Sequence, residues 1–438
     1  MTARPHIVLV HGHDLGRWLS CYGRPSVPSP HLDRFAAEGI VFDRAFATAP
    51  LCTPARSSMF TGLYPHQNGL MGLAHAGWRY RDGVRTLPEL LADAGYDTAL
   101  VGLQHEHPDP LVLGFEHVGG LGFLPHADAV VDEAIAWIHG RESAAPFFLT
   151  VGIWEGHRPW GSADYPTVDP ASVEVPPYLP DNDETRADLA GFYGSIAFLD
   201  EHVGRLLAAI DASTAGEDAL VIFTTDHGAA LPRAKSTLYD SGVEVAMIVR
   251  PPADWRRDAA RVAEPVSHLD LMPTLVELAG GRPDPAWEGR SLAGMIRGDE
   301  DVMDEDRPLF FEKTHHDGYD PIRAVRTPRW KYVRNFAPGP RLRLPRDLEE
   351  SRTRAGMGDA HLREREREEL YDLAGDPAEL HNLADDDAYA SVRAERAGVL
   401  DGWMRRTGDP LLDGEVPAAE RPTRGVEGKM GGRHGPTL

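Results

Sequence analysis

Cysteine is scarce in this sequence, and long apolar runs are missing from it. The chain of 438 residues contains two cysteines, Cys21 and Cys52, which exclude a disulfide framework. The longest apolar run, from Phe147 to Trp154, is far too short to cross a bilayer. No charged-then-apolar leader opens the chain, which instead starts with a strand-like run from His6 to Val10. We therefore expect a cytoplasmic protein that does not enter a membrane.

An excess of positive charge is also lacking. The chain has 45 basic residues against 68 acidic ones, so its formal net charge is -23. A chain of this charge is not expected to bind nucleic acid. If it acts on an anionic substrate, it must concentrate positive charge locally, in a metal ion or in a few basic side chains. The length suffices for one large α/β domain and a smaller one.

Apolar, β-branched runs alternate with helical patterns through the first three hundred residues. The apolar positions from Leu189 to Ile210 recur at helical spacing and predict an amphipathic crossover helix. The alternation predicts an α/β fold with a large, mostly parallel sheet between helices, whose ligand site lies beyond the carboxyl ends of the strands. The predicted strands are Ile7–Val10, Thr98–Val101, Phe147–Ile153, Leu220–Thr224 and Ala246–Val249.

The pattern changes after about residue 305. Four short strands lie close together in the sequence and predict a small α+β subdomain with an antiparallel sheet. They are Leu309–Lys313, Ile322–Arg326, Trp330–Arg334 and Glu369–Leu373. The highly charged stretch 341–369 is predicted to be a solvated helix or excursion. We divide the chain into an α/β domain (1–305), a C-terminal subdomain (306–413) and a tail (414–438) that is mobile or serves as an arm in a possible homo-oligomer.

The segment CTPARSSMFTG, from Cys52 to Gly62, predicts a reactive cysteine at the start of a helix. Pro54 favours the first turn of a helix, where its missing N–H costs nothing. Cys52 would then lie at the helix N-terminus, where free N–H groups and the helix dipole attract an anion. Arg56, one turn later, can pair with an oxyanion at the same place. A buried structural cysteine is the alternative for a lone cysteine.

Two pairs of aspartate and histidine follow predicted strands. His13-Asp14 follows the first strand, and Asp226-His227 follows the fourth. Because parallel strands end at the same edge of a sheet, the carboxylates are expected to converge near Cys52 and bind a divalent cation. An aspartate that caps the next helix is the alternative for either pair alone.

The cysteine motif resembles the C/S-x-P-x-R signature of the sulfatase family, and Thr61-Gly62 continue it. Further segments, His66–Leu70 and Leu269–Thr274 among them, also look like sulfatase sequence. The resemblance implies an alkaline-phosphatase-like fold and a formylglycine that a separate formylglycine-generating enzyme makes from Cys52. One hydroxyl of the hydrated aldehyde attacks sulfur and displaces an alcohol or amine. The other then collapses to the aldehyde and expels sulfate, so that one hard displacement becomes two easier ones.

The resemblance also implies roles for three residues after the other strands. His105 lies where the family places a histidine on the sulfate, and Lys235 lies where it places an anion clamp. His157 corresponds to the general acid, a task that suits a side chain titrating near neutrality.

The chain departs from the family at the predicted metal and anion sites. Sulfatases usually have Asp-Asp and Asp-Asn at the metal positions, where this chain has His13-Asp14 and Asp226-His227, and Leu103 replaces a common lysine. The family implies Ca²⁺, whereas the imidazoles suggest Mn²⁺ or another transition metal. The pair Asp226-His227 resembles that of the related phosphonate monoester and phosphodiester hydrolases.

Within the family, the sequence looks closest to the heparan N-sulfatase (sulfamidase) branch. In that branch the C-terminal subdomain leans over the pocket, so His315, His316 and Arg323 are candidate substrate contacts, with interdomain packing as the alternative. The sequence predicts a metal-dependent hydrolase of small-molecule or saccharide sulfate esters or sulfamates. The alternatives are a phosphonate monoester or phosphodiester hydrolase and a non-catalytic anion- or carbohydrate-binding protein.

Overall fold

The computed structural model describes residues 4–121, 125–256, 258–299 and 306–420. The strands are β1 (His6–Gly12), β2 (Ile40–Phe42), β3 (Ala45–Phe46), β4 (Asp97–Gly102), β5 (His117–Gly119), β6 (Phe147–Gly152), β7 (Ala219–Thr225), β8 (Glu244–Val245), β9 (Met247–Arg250), β10 (Ala260–Val262), β11 (Val266–Ser267), β12 (Leu309–His315), β13 (Tyr319–Arg326), β14 (Trp330–Asn335) and β15 (Glu368–Asp372). The α-helices are α1 (Pro30–Ala37), α2 (Cys52–Thr61), α3 (Pro65–Asn68), α4 (Leu87–Asp93), α5 (Ala127–His139), α6 (Asp183–Ala212), α7 (Asp240–Val243), α8 (Leu271–Leu278), α9 (Ala293–Arg297), α10 (Arg346–Glu349), α11 (Arg352–Gly356) and α12 (Ala390–Thr407). No helix in these ranges is long and apolar enough to span a bilayer.

A large, mostly parallel sheet forms the centre of the described structure. Its strand order is β10-β2-β9-β7-β1-β6-β4-β5, and only β9 runs against its neighbours. Strand β1 lies at the centre of this sheet. Its side chains enter two different cores in alternation, because successive side chains of a strand point to opposite faces. Val8 and Val10 pack with α1, α5 and α6, whereas Ile7 and Leu9 pack with α2, α4, α8 and α9. The predicted α/β sheet between helices is confirmed, and the predicted crossover helix is α6.

A separate four-stranded antiparallel sheet follows in the order β12-β13-β14-β15. Its strands match the four that the sequence predicts, and Tyr332 and Leu370 pack against Trp403 of α12. A third, three-stranded sheet joins β11, β3 and β8. The three-part division of the chain stays a prediction. The predicted tail lies outside the described residues from 421 onward, and at its start Val416 is buried.

The charged stretch near residue 350 differs from its predicted form. Helices α10 and α11 lie in what we call the cover segment, residues 341–362, and its apolar side chains Leu344 and Leu348 are buried. Thr353 of this segment donates a hydrogen bond from Oγ1 to Asp188 of α6 at 2.6 Å. Asp188 also accepts hydrogen bonds from Nη1 and Nη2 of Arg158. The segment is therefore anchored to the large sheet's helical layer. The sequence did not predict this burial, because the few apolar residues of the segment are separated by many charged ones.

Asp240, the first residue of α7, joins the two main sheets electrostatically. Its carboxylate pairs with Arg326 of β13 at 3.0 Å and with Lys331 of β14 at 2.7 Å, and all three side chains are buried. Although burial raises the pKa of Asp240, Arg326 and Lys331 hold it well below its usual range. Removing one partner of such a group leaves an uncompensated buried charge.

We expect Asp240→Asn to lower the free energy of unfolding by about 3–5 kcal/mol, because Arg326 and Lys331 lose their shared anion. Urea denaturation followed by circular dichroism measures the loss. The matched control is Asp372→Asn, which removes the partly buried partner of the exposed Arg329 and should change stability far less. Equal effects of the two substitutions would contradict this account.

The same carboxylate predicts a pH dependence. Its pKa is depressed in the folded state, so its contribution is complete above the unfolded-state pKa of about 4 and disappears as the pH falls. The stability difference between the wild type and Asp240→Asn should therefore shrink in acid. A difference that stays constant down to the acid limit of folding would contradict it.

Candidate active site

Helix α2 places Cys52 at the edge of a buried site. Cys52 is its first residue, Pro54 lies in its first turn, and Gly62 ends it at a positive φ of 67°. Every residue from Cys52 to Thr61 is buried. The sulfur of Cys52 lies 3.9 Å from Oδ1 of Asp14, which follows β1. The helix begins where the motif predicts, and its N-terminus faces the carboxyl edge of the large sheet.

The two predicted aspartate–histidine pairs meet at this edge. Strands β1 and β7 are parallel neighbours, and the backbone N–H of Asp14 donates to Oδ1 of Asp226 at 2.8 Å. Asp14 adopts a left-handed φ of 51°, which turns the chain sharply after β1. The side chains of His13, Asp14, Asp226 and His227 are all fully buried. Ligand atoms of His13, Asp14, Cys52 and Asp226 lie within 4.8 Å of one another, which is the spacing of a metal site.

The orientation of His227 leaves several polar atoms of this cluster without a partner. Its Nδ1 lies 3.0 Å from the carbonyl oxygen of Gly228, to which it can only donate. Nε2 then faces Oδ1 of Asp14 at 2.9 Å and Oδ2 of Asp226 at 3.8 Å. His13 Nδ1, His227 Nε2 and Asp226 Oδ2 are buried without a hydrogen-bond partner.

Such an arrangement needs a proton on each imidazole or a metal ion between the groups. Burial lowers the pKa of His13, but Asp226, Cys52 and Asp14 raise it to about 9, so the cluster demands positive charge. Metal-bound histidines commonly donate their second nitrogen to a backbone carbonyl, as His227 does here. The residues therefore fit a divalent cation, held by Asp14, Asp226 and His227 with His13 or position 52 beside them.

Arg56 reaches the cluster from one turn along α2. It is fully buried, with Nη2 3.1 Å from Oδ2 of Asp226 and Nη1 2.6 Å from Nδ1 of His11. Because a guanidinium only donates, Nδ1 of His11 must accept, and its Nε2–H then donates to Thr150 at 3.1 Å. Burial and Arg56 lower the pKa of His11 well below its usual range. His11 thus holds Arg56 as a neutral acceptor, a role that the sequence analysis missed.

Lys235 and His157 lie on the other side of Asp14. The ammonium of Lys235 contacts Oδ2 of Asp14 at 2.5 Å, Oδ2 of Asp347 at 2.8 Å and Nε2 of His157 at 3.3 Å. His157 Nδ1 lies 2.6 Å from the carbonyl of Arg158 and donates to it, so Nε2 accepts from Lys235. Burial and Lys235 lower the pKa of His157 to about 4. The proton in this pair resides on Lys235.

The loop after β6 brings aromatic and imidazole rings against the site. The ring of Trp154 stacks on His13 with centroids 5.5 Å apart, and His157 packs against both. Gly156 between them has φ of 100°, and a Cβ there would lie 2.0 Å from the carbonyl oxygen of His13. Only glycine permits this approach. The sequence analysis did not predict this packing of Trp154 and Gly156.

His105 completes the cluster on its accessible side. Its Nδ1 lies 3.3 Å from Nε2 of His13, and its carbonyl accepts a 2.6 Å hydrogen bond from Thr53 of α2. The side chains of His157 and Asp347 are 17% and 24% exposed, whereas Asp14 is 0% exposed. The site therefore opens between His105, His157 and Asp347.

Two of the three predicted substrate contacts, Arg323 and His315, lie away from this opening. Arg323 is fully buried and donates to Asp409 and to the carbonyl of Lys313, so a substrate cannot reach it in this structure. His315 is buried between Trp78 and Tyr319, with Nε2 3.0 Å from the carbonyl of Val416.

For these two residues the geometry favours the packing alternative that the sequence left open. His316 lies beside Asp317, whose carboxylate accepts the backbone N–H of Arg346 in the cover segment. His316 is therefore close to the accessible side of the site, and its substrate contact stays a prediction.

Comparisons with known proteins agree on one family. The family model described as Sulfatase matches residues 5–281. The N-sulphoglucosamine sulphohydrolase of Homo sapiens is 28% identical over 478 residues, which cover 94% of this chain and 92% of that protein. An ulvan-active sulfatase of Formosa agariphila is 26% identical over 489 residues, covering 96% of this chain and 77% of that protein. The solved phosphonate monoester hydrolase of Agrobacterium radiobacter shares the fold, with a TM-score of 0.71, 23% identity and coverage of 96% of this chain and 100% of that chain.

The cluster predicts a preference among metal ions. We expect Mn²⁺ to raise the melting temperature more than Ca²⁺, because the imidazoles of His13 and His227 are nitrogen donors. At a hundredfold excess over Kd, binding adds about 2.7 kcal/mol to the free energy of unfolding. Differential scanning calorimetry with each ion measures this shift.

The variant Asp226→Asn should lose most of the Mn²⁺-dependent shift, because it removes one of the buried anions. Asp372→Asn, far from the cluster, is the matched control and should keep the shift. If Ca²⁺ stabilised the protein more than Mn²⁺, the nitrogen ligands would not determine the preference.

Proposed function

Because the chain belongs to the sulfatase family and is thus a sulfuric ester hydrolase, we propose that it acts through a formylglycine made from Cys52 and a bound divalent cation. The position of Cys52 carries this proposal. Its side chain is the first of a buried helix, 3.9 Å from Asp14 and within the group of metal-ligating atoms. A cysteine with a purely structural role does not require the ligand atoms of four ionisable residues, His13, Asp14, His105 and Asp226, within 4.8 Å of its sulfur.

The formylglycine, the cation and the chain's own side chains have different roles in this proposal. A formylglycine at position 52 supplies a hydrated aldehyde, which can attack sulfur and later release sulfate. A cation held by Asp14, Asp226 and His227 supplies positive charge for the oxygens of the transferring group. Arg56, oriented by His11, adds fixed donors at the N-terminus of α2.

Lys235, His157 and His105 serve the accessible side of the site in this proposal. Lys235 binds the transferring anion, because its ammonium lies between Asp14 and the opening of the site. His157 faces the leaving group through Nε2, with the Lys235 ammonium 3.3 Å away as the nearest proton donor. His105, beside His13, donates to an oxygen of the anion.

Sulfate esters or sulfamates of saccharides are the proposed substrates. The support is the activity of the relatives, one of which is an ulvan-active sulfatase and another an N-sulphoglucosamine sulphohydrolase. Hydrolysis of phosphonate monoesters or phosphodiesters is the second candidate. It is favoured by one observation, the Asp226-His227 pair with its nitrogen ligand in the metal cluster. A cytoplasmic location and a formylglycine-generating enzyme as partner remain part of the proposal.

The nucleophile is tested by replacing each cysteine in turn. We expect Cys52→Ala to lower kcat by several orders of magnitude, since the attacking group is gone. Cys21→Ala is the matched control and should keep full activity, because Cys21 is not among the clustered ligand atoms around Cys52. Sulfate release from an aryl sulfate measures both variants after coexpression with a formylglycine-generating enzyme.

Mass spectrometry of the peptide that contains Cys52 reports whether sulfur has been replaced by oxygen. Full activity with an unmodified thiol at position 52 would refute the formylglycine part of the proposal. Parallel rates on an aryl sulfate, a sulfamate and a phosphonate monoester decide between the two candidate functions. Faster phosphonate turnover would replace the first candidate with the second.

A further inference from the structure

Asp347 is a carboxylate at the opening of the site that the family resemblance did not predict. It belongs to α10 in the cover segment, and its side chain is 24% exposed. Its Oδ2 lies 2.8 Å from the ammonium of Lys235. Ligand atoms of Asp347, His157 and Asp14 lie within 4.8 Å of one another, so Asp347 faces the same space as His157.

The backbone around Asp347 is fixed from two sides. Leu348 is buried, and the N–H of Arg346 donates to Asp317 in the turn between β12 and β13 at 3.0 Å. Thr353, further along, is tied to Asp188 of α6. The carboxylate of Asp347 is thus held in place by packing and hydrogen bonds, and its position does not depend on Lys235 alone.

During the proposed reaction, Asp347 would share its cationic partner, Lys235, with other anionic groups. Among the residues that the structure describes, Lys235 is the one cation paired with Asp347, and Lys235 also pairs with Asp14. Once Lys235 binds the anion of a substrate, three anionic groups share one ammonium. Asp347 then lies at the leaving-group side without full compensation, and an anionic leaving group would be repelled there.

We propose that Asp347 forms a leaving-group subsite that selects substrates with a protonated amine next to the scissile ester. The substrate class is the sulfate ester of an amine-bearing alcohol, such as an amino sugar with a free amine. The ammonium of the leaving group donates to Asp347. It thereby replaces Lys235 as the cationic partner of Asp347 while Lys235 binds the sulfate. This inference rests on the proposed function and adds the identity of the leaving group.

Two aryl sulfates that differ in one charge test the subsite. They are 2-(aminomethyl)phenyl sulfate, which carries an ammonium beside the ester, and 2-methylphenyl sulfate, which does not. We expect the wild-type enzyme to give a kcat/KM for the first roughly tenfold above the second, because a charge-assisted hydrogen bond contributes on that scale. In Asp347→Asn the ratio should fall several-fold, to the value set by the acidities of the two leaving phenols alone, since the amide has no charge to offer.

The controls separate specificity from positioning and from the proposed function. Glu349→Gln, an exposed neighbour on α10, should keep the wild-type ratio. An equal loss on both substrates in Asp347→Asn, with the ratio unchanged, would show that Asp347 only positions Lys235 and would overturn the inference. A wild-type ratio of one would also overturn it, while the sulfatase activity would stand. If the enzyme with formylglycine at position 52 hydrolysed neither ester, the proposed function would fail as well.

Discussion

The buried carboxylate of Asp14 is the group on which the site depends. Its Oδ1 faces His13, His227 and the sulfur of Cys52, whereas Oδ2 faces Lys235 and His157. Burial raises its pKa, but Lys235 and the histidines hold it well below its usual range. The carboxylate therefore stays ionised without contact with water, which only well-placed positive charge permits. Asp14 thus lies between Cys52, His13 and His227 on one side and Lys235 and His157 on the other.

The two halves of the site come from different parts of the fold. The carboxyl ends of β1 and β7 supply Asp14 and Asp226, because parallel neighbours end at one edge. The opening of the site is bordered by Asp347 of the cover segment, which lies between β14 and β15 of the antiparallel sheet in sequence. The half of the site around Cys52 is thus built by the ends of the large sheet and by α2, whereas the opening is bordered by a segment that a few polar contacts anchor to the helical layer.

The sequence predicted the local patterns well and the distant pairings poorly. Apolar runs located β1, β4, β6 and β7, and the cysteine motif located α2, because both signals lie within a few residues. The partnership of His11 with Arg56 depends on how a strand and a helix meet in space, so no local pattern shows it. Asp347 lies among many charged residues, and only the fold distinguishes it from its solvated neighbours. For Arg323 the sequence left substrate contact and packing open, since its partner Asp409 is distant in sequence.

The burial of α2 has a consequence for the order of events in the cell. Every side chain from Cys52 to Thr61 is enclosed, so the motif that the proposed formylglycine-generating enzyme would read is on the inside of the folded molecule. Under that proposal, a second protein would bind this stretch only while it is still extended, before the sheet closes over it. Folding and maturation would then compete for the same segment. A chain that folds first would keep its thiol, and a faster-folding variant would accumulate as stable protein without the formylglycine.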